Sequence, residues 1–326
     1  MWLELLAITG GFVLLTWSAD RFVIGAAAIA WNLNIPPLII GLTIVSLGTS
    51  APEILVSGMA ALQGNTGLAI GNAIGSNIIN IGLVLGITAL VTPLAVHSRV
   101  LSRELPVLLA IMAIVWLLLL DGTLGRFDGV LLLCGMVLML AWMTAVGIKS
   151  KGSREPMNAE YAEEIQTSMG MGRAVFWLVI GMGLLLLSSR LLIWGAVSVA
   201  HQFGVSDLVI GLTIVALGTS LPELAASLAG AIKNEHDIVI GNIIGSNIFN
   251  LLAVLGLPGV IRPGPIDAAV MERDYIAMVI LTVVLFAMAY GFRGGVRRIS
   301  RIEGGALLLI YIVYQSLLYF SVTGKT

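Results

Sequence analysis

Residues 41–86 and 211–256 are one sequence written twice, and each copy carries a glutamate inside an apolar run. Aligned without a gap, 25 of the 46 positions are identical. The identities include Thr49/Thr219, Ser50/Ser220, Glu53/Glu223, Asn72/Asn242, Ser76/Ser246 and Asn80/Asn250. Any hydrophobic residue can preserve an apolar scaffold, so identity at polar positions marks a shared task. A chain duplicated in this way folds as two related halves, and the number of apolar segments between the copies fixes how those halves face one another.

Composition supplies that number. Of 326 residues 58% are hydrophobic and 11% charged, against about 25% charged in soluble domains. With a mean hydropathy of +1.03, the chain reads as an integral membrane protein. A spanning helix needs roughly 20 apolar residues, and ten such segments fall near 2–30, 36–61, 66–91, 104–121, 125–148, 172–200, 206–232, 236–257, 273–291 and 303–321. The N-terminal stretch lacks the positive region of a cleaved leader, so the first segment is expected to be kept. Only 149–171, with its sequence KSKGSREPMNAEYAEE, reads as a soluble linker. It separates a first half, 1–148, from a second, 172–326. Five crossings per half is an odd number, so the second copy enters from the opposite side of the membrane. The expected fold is an all-α membrane protein of ten transmembrane helices, arranged as two inverted five-helix repeats.

Charge sets the expected orientation and excludes some partners. With the N-terminus outside, the inward ends and loops hold Arg99, Arg103, Lys149, Lys151, Arg154, Arg173, Lys233, Arg293, Arg297, Arg298 and Arg301. The outward side holds Arg126, Arg262, Arg273 and Lys325. The positive-inside rule then puts both termini outside, with linker 149–171 in the cytoplasm, for a multi-pass protein of the plasma (inner) membrane. A net charge of -1 offers no basic surface to nucleic acid. No obligate protein partner is implied; the bilayer is the partner. The single cysteine, Cys134, excludes an intramolecular disulfide and reads as a small core hydrophobe.

Burying an ionised glutamate at a helix centre costs about 2.5–3.5 kcal/mol on insertion scales, so Glu53 and Glu223 need a reason. Each sits in GTSxPE. Thr49 and Glu53 are four residues apart and share a helix face. Pro52 and Pro222 cannot donate a backbone hydrogen bond and push away the carbonyls one turn earlier, so each helix should kink or break beside its carboxylate. Such backbone survives in hydrocarbon only where it lines a cavity or binds an ion. The second element, GNxIGSNIxN, places Asn72, Ser76 and Asn80 at four-residue intervals, a polar stripe repeated by Asn242, Ser246 and Asn250. Asn77 and Asn247 point off the stripe, where an interhelical hydrogen bond competes with ion contact. The ligand inventory is therefore all oxygen. Hard cations such as calcium or sodium suit it, whereas zinc, copper and iron do not.

The paired GTSxPE and GNxIGSNIxN elements resemble the α-repeats of the cation/calcium exchanger superfamily, most of all its bacterial sodium/calcium antiporters. The resemblance implies four central helices around the site, with two long tilted helices, 2–30 and 172–200, sliding across them in alternating access. It implies ion ligands at Thr49, Ser50, Glu53, Ser76 and Asn80, and at their counterparts Thr219, Ser220, Glu223, Ser246 and Asn250. Main-chain oxygens near Ser46 and Ala216 join them, and the stripe adds Asn72 and Asn242 as candidates. Some family members carry an aspartate at one of the positions held here by Asn80 and Asn250; asparagine at both leaves two acids rather than three. The implied activity is antiport that exports calcium against sodium, with no cofactor and no enzymatic step. Coupling to protons or potassium fits the same residues. A calcium-selective channel normally places its acids as a ring around an oligomeric pore, and an intramembrane hydrolase would leave the duplicated hydroxyls and amides without a use. Away from the repeats the polar residues have ordinary explanations: Asp20 and Arg21 pair locally or snorkel, Asp128 and Glu303 cap helices, and the arginines between 293 and 301 signal topology, with anionic lipid as a second reading.

Overall fold

A computed structural model of the chain describes residues 2–33, 35, 37–62, 64, 66–96, 101–149, 169–202, 216–289 and 297–323. Most of the linker, 150–168, and the first part of the seventh segment, 203–215, lie outside the described residues. The described chain is almost entirely helical, as the apolar runs require, because a helix satisfies every backbone donor and acceptor within the segment. The first half runs through α1 (Trp2–Leu33), α2 (Pro37–Ile40), a π-helical turn π1 (Gly41–Val45), α3 (Ser46–Thr49) and α4 (Ala51–Leu62). It continues through α5 (Thr66–Ile79), π2 (Asn80–Leu85), α6 (Gly86–Val91), β1 (Leu94–Val96), α7 (Leu101–Leu118), β2 (Thr123–Leu124) and α8 (Arg126–Lys149). The second half holds α9 (Met171–Gln202), α10 (Ala216–Thr219), α11 (Leu221–Ile232), α12 (His236–Phe249), π3 (Asn250–Val254) and α13 (Gly256–Ile261). After these come β3 (Gly264–Pro265), π4 (Val270–Tyr275), α14 (Ile276–Ala289), β4 (Arg297–Ile299) and α15 (Arg301–Thr323).

Two short antiparallel ribbons test the count of crossings. β1 pairs with β4, Ala95 opposite Arg298, and β2 pairs with β3, Thr123 opposite Pro265. Counting ten crossings, β1 and β4 both follow an odd number of them, and β2 and β3 both follow an even number. Each ribbon therefore joins loops on one side of the membrane, on opposite faces of the protein. Two further contacts obey the same parity. The Asn32 amide at the end of α1 donates to the Met169 carbonyl before α9, and the Thr66 hydroxyl donates to the Arg262 carbonyl beyond α13.

The long helices sort by position. α1 and α9 have 32 residues each, more than a perpendicular crossing needs, and pack against one another along their length. Glycine sets their separation. A Cβ on Gly25 would lie 2.6 Å from the Leu178 nitrogen, and one on Gly195 would lie 2.9 Å from the Glu4 carbonyl. These two positions are equivalent in the repeats, so the same backbone contact is made twice. By contrast α12, π3 and α13 form the buried axis of the molecule, with every residue from Ile238 to Gly256 buried. The helices α8 and α15 expose much of their length. Cys134 lies on that exposed face of α8, not in the core. A helix apolar all round carries no stripe to say which face meets protein and which meets lipid. The two expected caps form: Asp128 accepts from the Gly125 nitrogen at 2.7 Å, and Ser300 and Glu303 make a reciprocal capping box.

Candidate functional site

The two GTSxPE elements do break their helices, at Ser50 and at Ser220. The serines share one backbone conformation, φ -81° and ψ 4° for Ser50 and φ -90° and ψ 5° for Ser220. This is the sparsely populated bridge region between helix and strand. The cause lies two residues on. Pro52 and Pro222 are the second residues of α4 and α11, a place where a missing N–H costs nothing but through which no helix ladder can continue. In the first repeat the axis turns by 48° between the two helical pieces. Each break starts a fresh helix, and Glu53 and Glu223 lie in the first turns of α4 and α11. The positive ends of two helix dipoles thus meet the two carboxylates inside the protein.

The carboxylates are held crosswise. Ser50 donates its hydroxyl to Glu223 Oε1 at 3.2 Å, and Ser220 donates to Glu53 Oε1 at 3.4 Å. Thr219 turns toward Glu53 and Thr49 toward Glu223 as further hydroxyl neighbours. Both glutamates are 1% exposed, and Oε2 of each finds no hydrogen-bond partner among the described residues. A buried carboxylate oxygen with no donor is a costly arrangement without a cation or a proton to share.

The second element closes round this pair from α5 and α12. Asn80 and Asn250 each stand where an α-helix passes into a π-helical turn, the start of π2 and of π3. Such single-turn expansions recur at functional sites. π2 packs against α11, which carries Glu223, and π3 packs against α4, which carries Glu53. Asn80 Oδ1, both amide atoms of Asn250 and the Ser246 hydroxyl are buried with no partner among the described residues. Ser76 is buried as well.

The structure thus gathers Thr49, Ser50, Glu53, Ser76, Asn80, Thr219, Ser220, Glu223, Ser246 and Asn250 in the buried interior where the repeats meet. The remaining candidates differ. Asn242 accepts the Thr49 hydroxyl at 3.1 Å and so joins the cluster from α12. Asn72 instead donates to the Glu53 main-chain carbonyl and to Ser57, each at 3.1 Å, which ties α5 to α4. The Ser46 carbonyl accepts the Ser50 N–H at 2.9 Å and the Thr49 hydroxyl at 3.4 Å. Ala216 opens α10, at the position equivalent to Ser46. Two buried residues were not singled out as ligands. Ser227, one turn beyond Glu223, has a hydroxyl without a partner among the described residues; its identity with Ser57 in the aligned copies is the signal. Asn247 bonds Asn80, the interhelical role open to a residue off the stripe.

No group of three or more His, Cys, Asp or Glu that could hold a metal occurs among the described residues. With two acids and otherwise neutral oxygens, the cluster suits a hard cation. An all-helical membrane protein whose inverted halves bring broken helices and buried carboxylates to one centre has the build of an ion-coupled secondary transporter. The family described as sodium/calcium exchanger protein matches residues 3–145 and 173–320. This chain belongs to that family. It is 54% identical over 311 residues to CaxA of Alkalimonas amylolytica, covering 95% of this chain and 97% of that one. It is 41% identical over 314 residues to inner membrane protein YrbG of Escherichia coli, covering 95% of each. Among solved structures, the sodium-calcium exchanger NCX_Mj superposes with a TM-score of 0.82 at 33% identity, over 96% of this chain and 98% of that one.

Proposed function

We propose that this protein is a secondary antiporter that exports calcium in exchange for sodium, and that the crosswise cluster is the shared ion site. It is a transporter and catalyses no covalent step. The observation that carries this reading is the Ser50–Glu223 and Ser220–Glu53 lattice, with one bare carboxylate oxygen on each glutamate. Two ionised carboxylates match one divalent cation in charge. With the hydroxyls of Thr49, Ser50, Thr219 and Ser220, and with Ser76, Ser246, Asn80 and Asn250, the carboxylates offer more oxygens than the roughly 6–8 that a calcium shell takes. Asn242 and the main-chain oxygens at Ser46 and Ala216 stand within the same elements. Sodium draws on the same atoms, so the two ions compete, and competition at one site is what antiport requires.

The α1–α9 pair is the moving part, packed as one body through the close contacts at Gly25 and Gly195. The two halves, 1–148 and 172–326, supply the inverted frame on either side of the 149–171 linker. The excess of basic residues on the linker side supports a plasma-membrane protein with both termini outside, and the relative YrbG is named for the inner membrane. The test is calcium uptake into proteoliposomes with sodium, potassium or proton gradients imposed one at a time. Uptake driven by sodium alone supports the reading. Uptake that ignores sodium and follows protons or potassium replaces the driving ion, and flux without any counter-ion gradient points to a channel.

A further inference from the structure

The two polar stripes are identical in sequence, yet their amides are not wired alike. Asn80 donates its Nδ2 to Asn247 Oδ1 at 3.2 Å, a bond across the repeat interface between α12 and the junction of α5 with π2. The equivalent of Asn247 is Asn77, and Asn77 donates to the Ala73 carbonyl of its own helix at 2.9 Å. Asn250, the equivalent of Asn80, finds no partner for either amide atom among the described residues. All four asparagines are at most 1% exposed.

An amide is planar, with its donor and its acceptor on opposite prongs. Tying the NH2 group of Asn80 to Asn247 therefore turns Oδ1 the other way; that oxygen is buried with no partner among the described residues, and π2, which Asn80 opens, packs against the helix of Glu223. A cation is repelled by an NH2 group and bound by a carbonyl oxygen. Without a fixed acceptor, Asn80 could present either prong at little difference in energy. We propose that Asn247 is a positioning residue that presets Asn80 as an oxygen ligand, whereas Asn250, with no such partner among the described residues, is the adaptable ligand of the site. The inference rests on the cation-binding reading of the cluster and deepens it. Calcium, which collects more oxygens than sodium, depends more on the preset ligand, so Asn247 favours calcium in the competition.

The test uses the full chain, purified and reconstituted, with calcium uptake read as KM and maximal rate and with equilibrium calcium binding alongside. Asn247→Leu keeps the number and branching of the side-chain heavy atoms and removes the acceptor. It should raise the calcium KM about 3- to 10-fold, the range of one net hydrogen bond, with little change in maximal rate and a smaller change in sodium competition. Asn247→Ser, too short to reach Asn80, should do the same if the leucine variant fails to fold. Asn247→Asp retains an acceptor for Nδ2 and should return KM to the wild-type value or below. Asn77→Leu removes the equivalent amide but touches no candidate ligand, and should leave KM within about twofold. In an Asn80→Ala background, Asn247→Leu should add nothing.

Equal effects of Asn77→Leu and Asn247→Leu, or an undiminished Asn247→Leu effect in the Asn80→Ala background, would show a packing role and overturn the proposal. So would an unchanged KM in monodisperse Asn247→Leu and Asn247→Ser. If Asn80→Ala and Glu53→Gln both bind calcium normally, the ion-site reading itself has failed. If those two lose affinity and the Asn247 variants do not, only the present inference falls.

Discussion

The centre of the molecule and the turns at its edge treat the same duplication differently. At the centre the two repeats behave as equals: Ser50 and Ser220 share one backbone conformation, and each holds the other repeat's glutamate. At the edge they diverge. Between α4 and α5 the sequence of the first repeat reads Gln63-Gly64-Asn65, without a charge, and between α11 and α12 that of the second reads Lys233-Asn234-Glu235. Backbone shape survives the divergence, since Gly64 and Asn234 both sit at positive φ, 86° and 60°. Those are the residue types that tolerate it. Charge does not survive. Lys233 reaches Asp20 on α1 at 2.7 Å, and Arg21 beside it lies over the rings of Trp17 and Trp177. Symmetry is kept where both repeats must offer the same ligands, and given up at the turn where Lys233 meets Asp20 of α1.

The sharpest way to break this comparison is at the centre. Glu53→Gln and Glu223→Gln should be equally damaging, each cutting calcium uptake on the order of 100-fold or more, because a divalent ion left half neutralised in a buried site loses several kcal/mol. Two monodisperse variants with clearly unequal fluxes would show that the crosswise pair is not functionally symmetric.

The second test is at the charged turn. Burial pushes the Glu235 carboxyl up to about 7 from its ordinary 4.5, with Asp237 adding to the rise and Lys233 opposing it. A carboxyl with a raised native pKa contributes its full stability below about pH 4.5 and loses it as pH climbs through about 7. Glu235→Gln should therefore leave thermal stability near pH 4.5 unchanged and raise it at pH 8, by about 3 kcal/mol at most. Melting curves in detergent across that range check it, and parallel curves for the two proteins would place Glu235 in water. The aligned residue of the first repeat, Asn65, does not titrate.

A smaller effect separates Asn72 from Asn242. Removing the Asn72 amide strips a donor from the Glu53 carbonyl, so Asn72→Ala should lower unfolding stability by about 1–3 kcal/mol. Asn242→Ala removes only an acceptor for the Thr49 hydroxyl and should alter calcium competition by sodium more than melting temperature. Identical melting and identical competition for the two would restore the symmetry that the sequence suggests. The least effect is expected at the edge. Asp20→Asn and Lys233→Met, with side chains 38% and 31% exposed, should each change stability by less than about 1 kcal/mol, and less again at high salt.

Much of this was legible before any coordinates. Prolines inside apolar runs carry their own geometry, so the helix breaks beside Glu53 and Glu223 followed from Pro52 and Pro222. The ten crossings followed from hydropathy, and the ribbons β1–β4 and β2–β3 agree with that count. The face of α8 that carries Cys134 was not legible, because lipid and protein interior ask for the same residues there.

Duplication and an odd number of crossings, both written in the chain, leave two copies of one polar cluster no relation but an inverted one. Which amide each asparagine grips was decided only by the tertiary structure. Asn77 and Asn247 are the same residue in the same motif, yet one bonds Ala73 in its own helix and the other crosses to Asn80. A hydrogen bond depends on what stands opposite, and the neighbours of the two repeats are not copies of one another. The π-helical turns at Asn80 and Asn250 belong to the same category. An added residue in a helical turn leaves no mark in composition or periodicity; packing against the opposite repeat selects it.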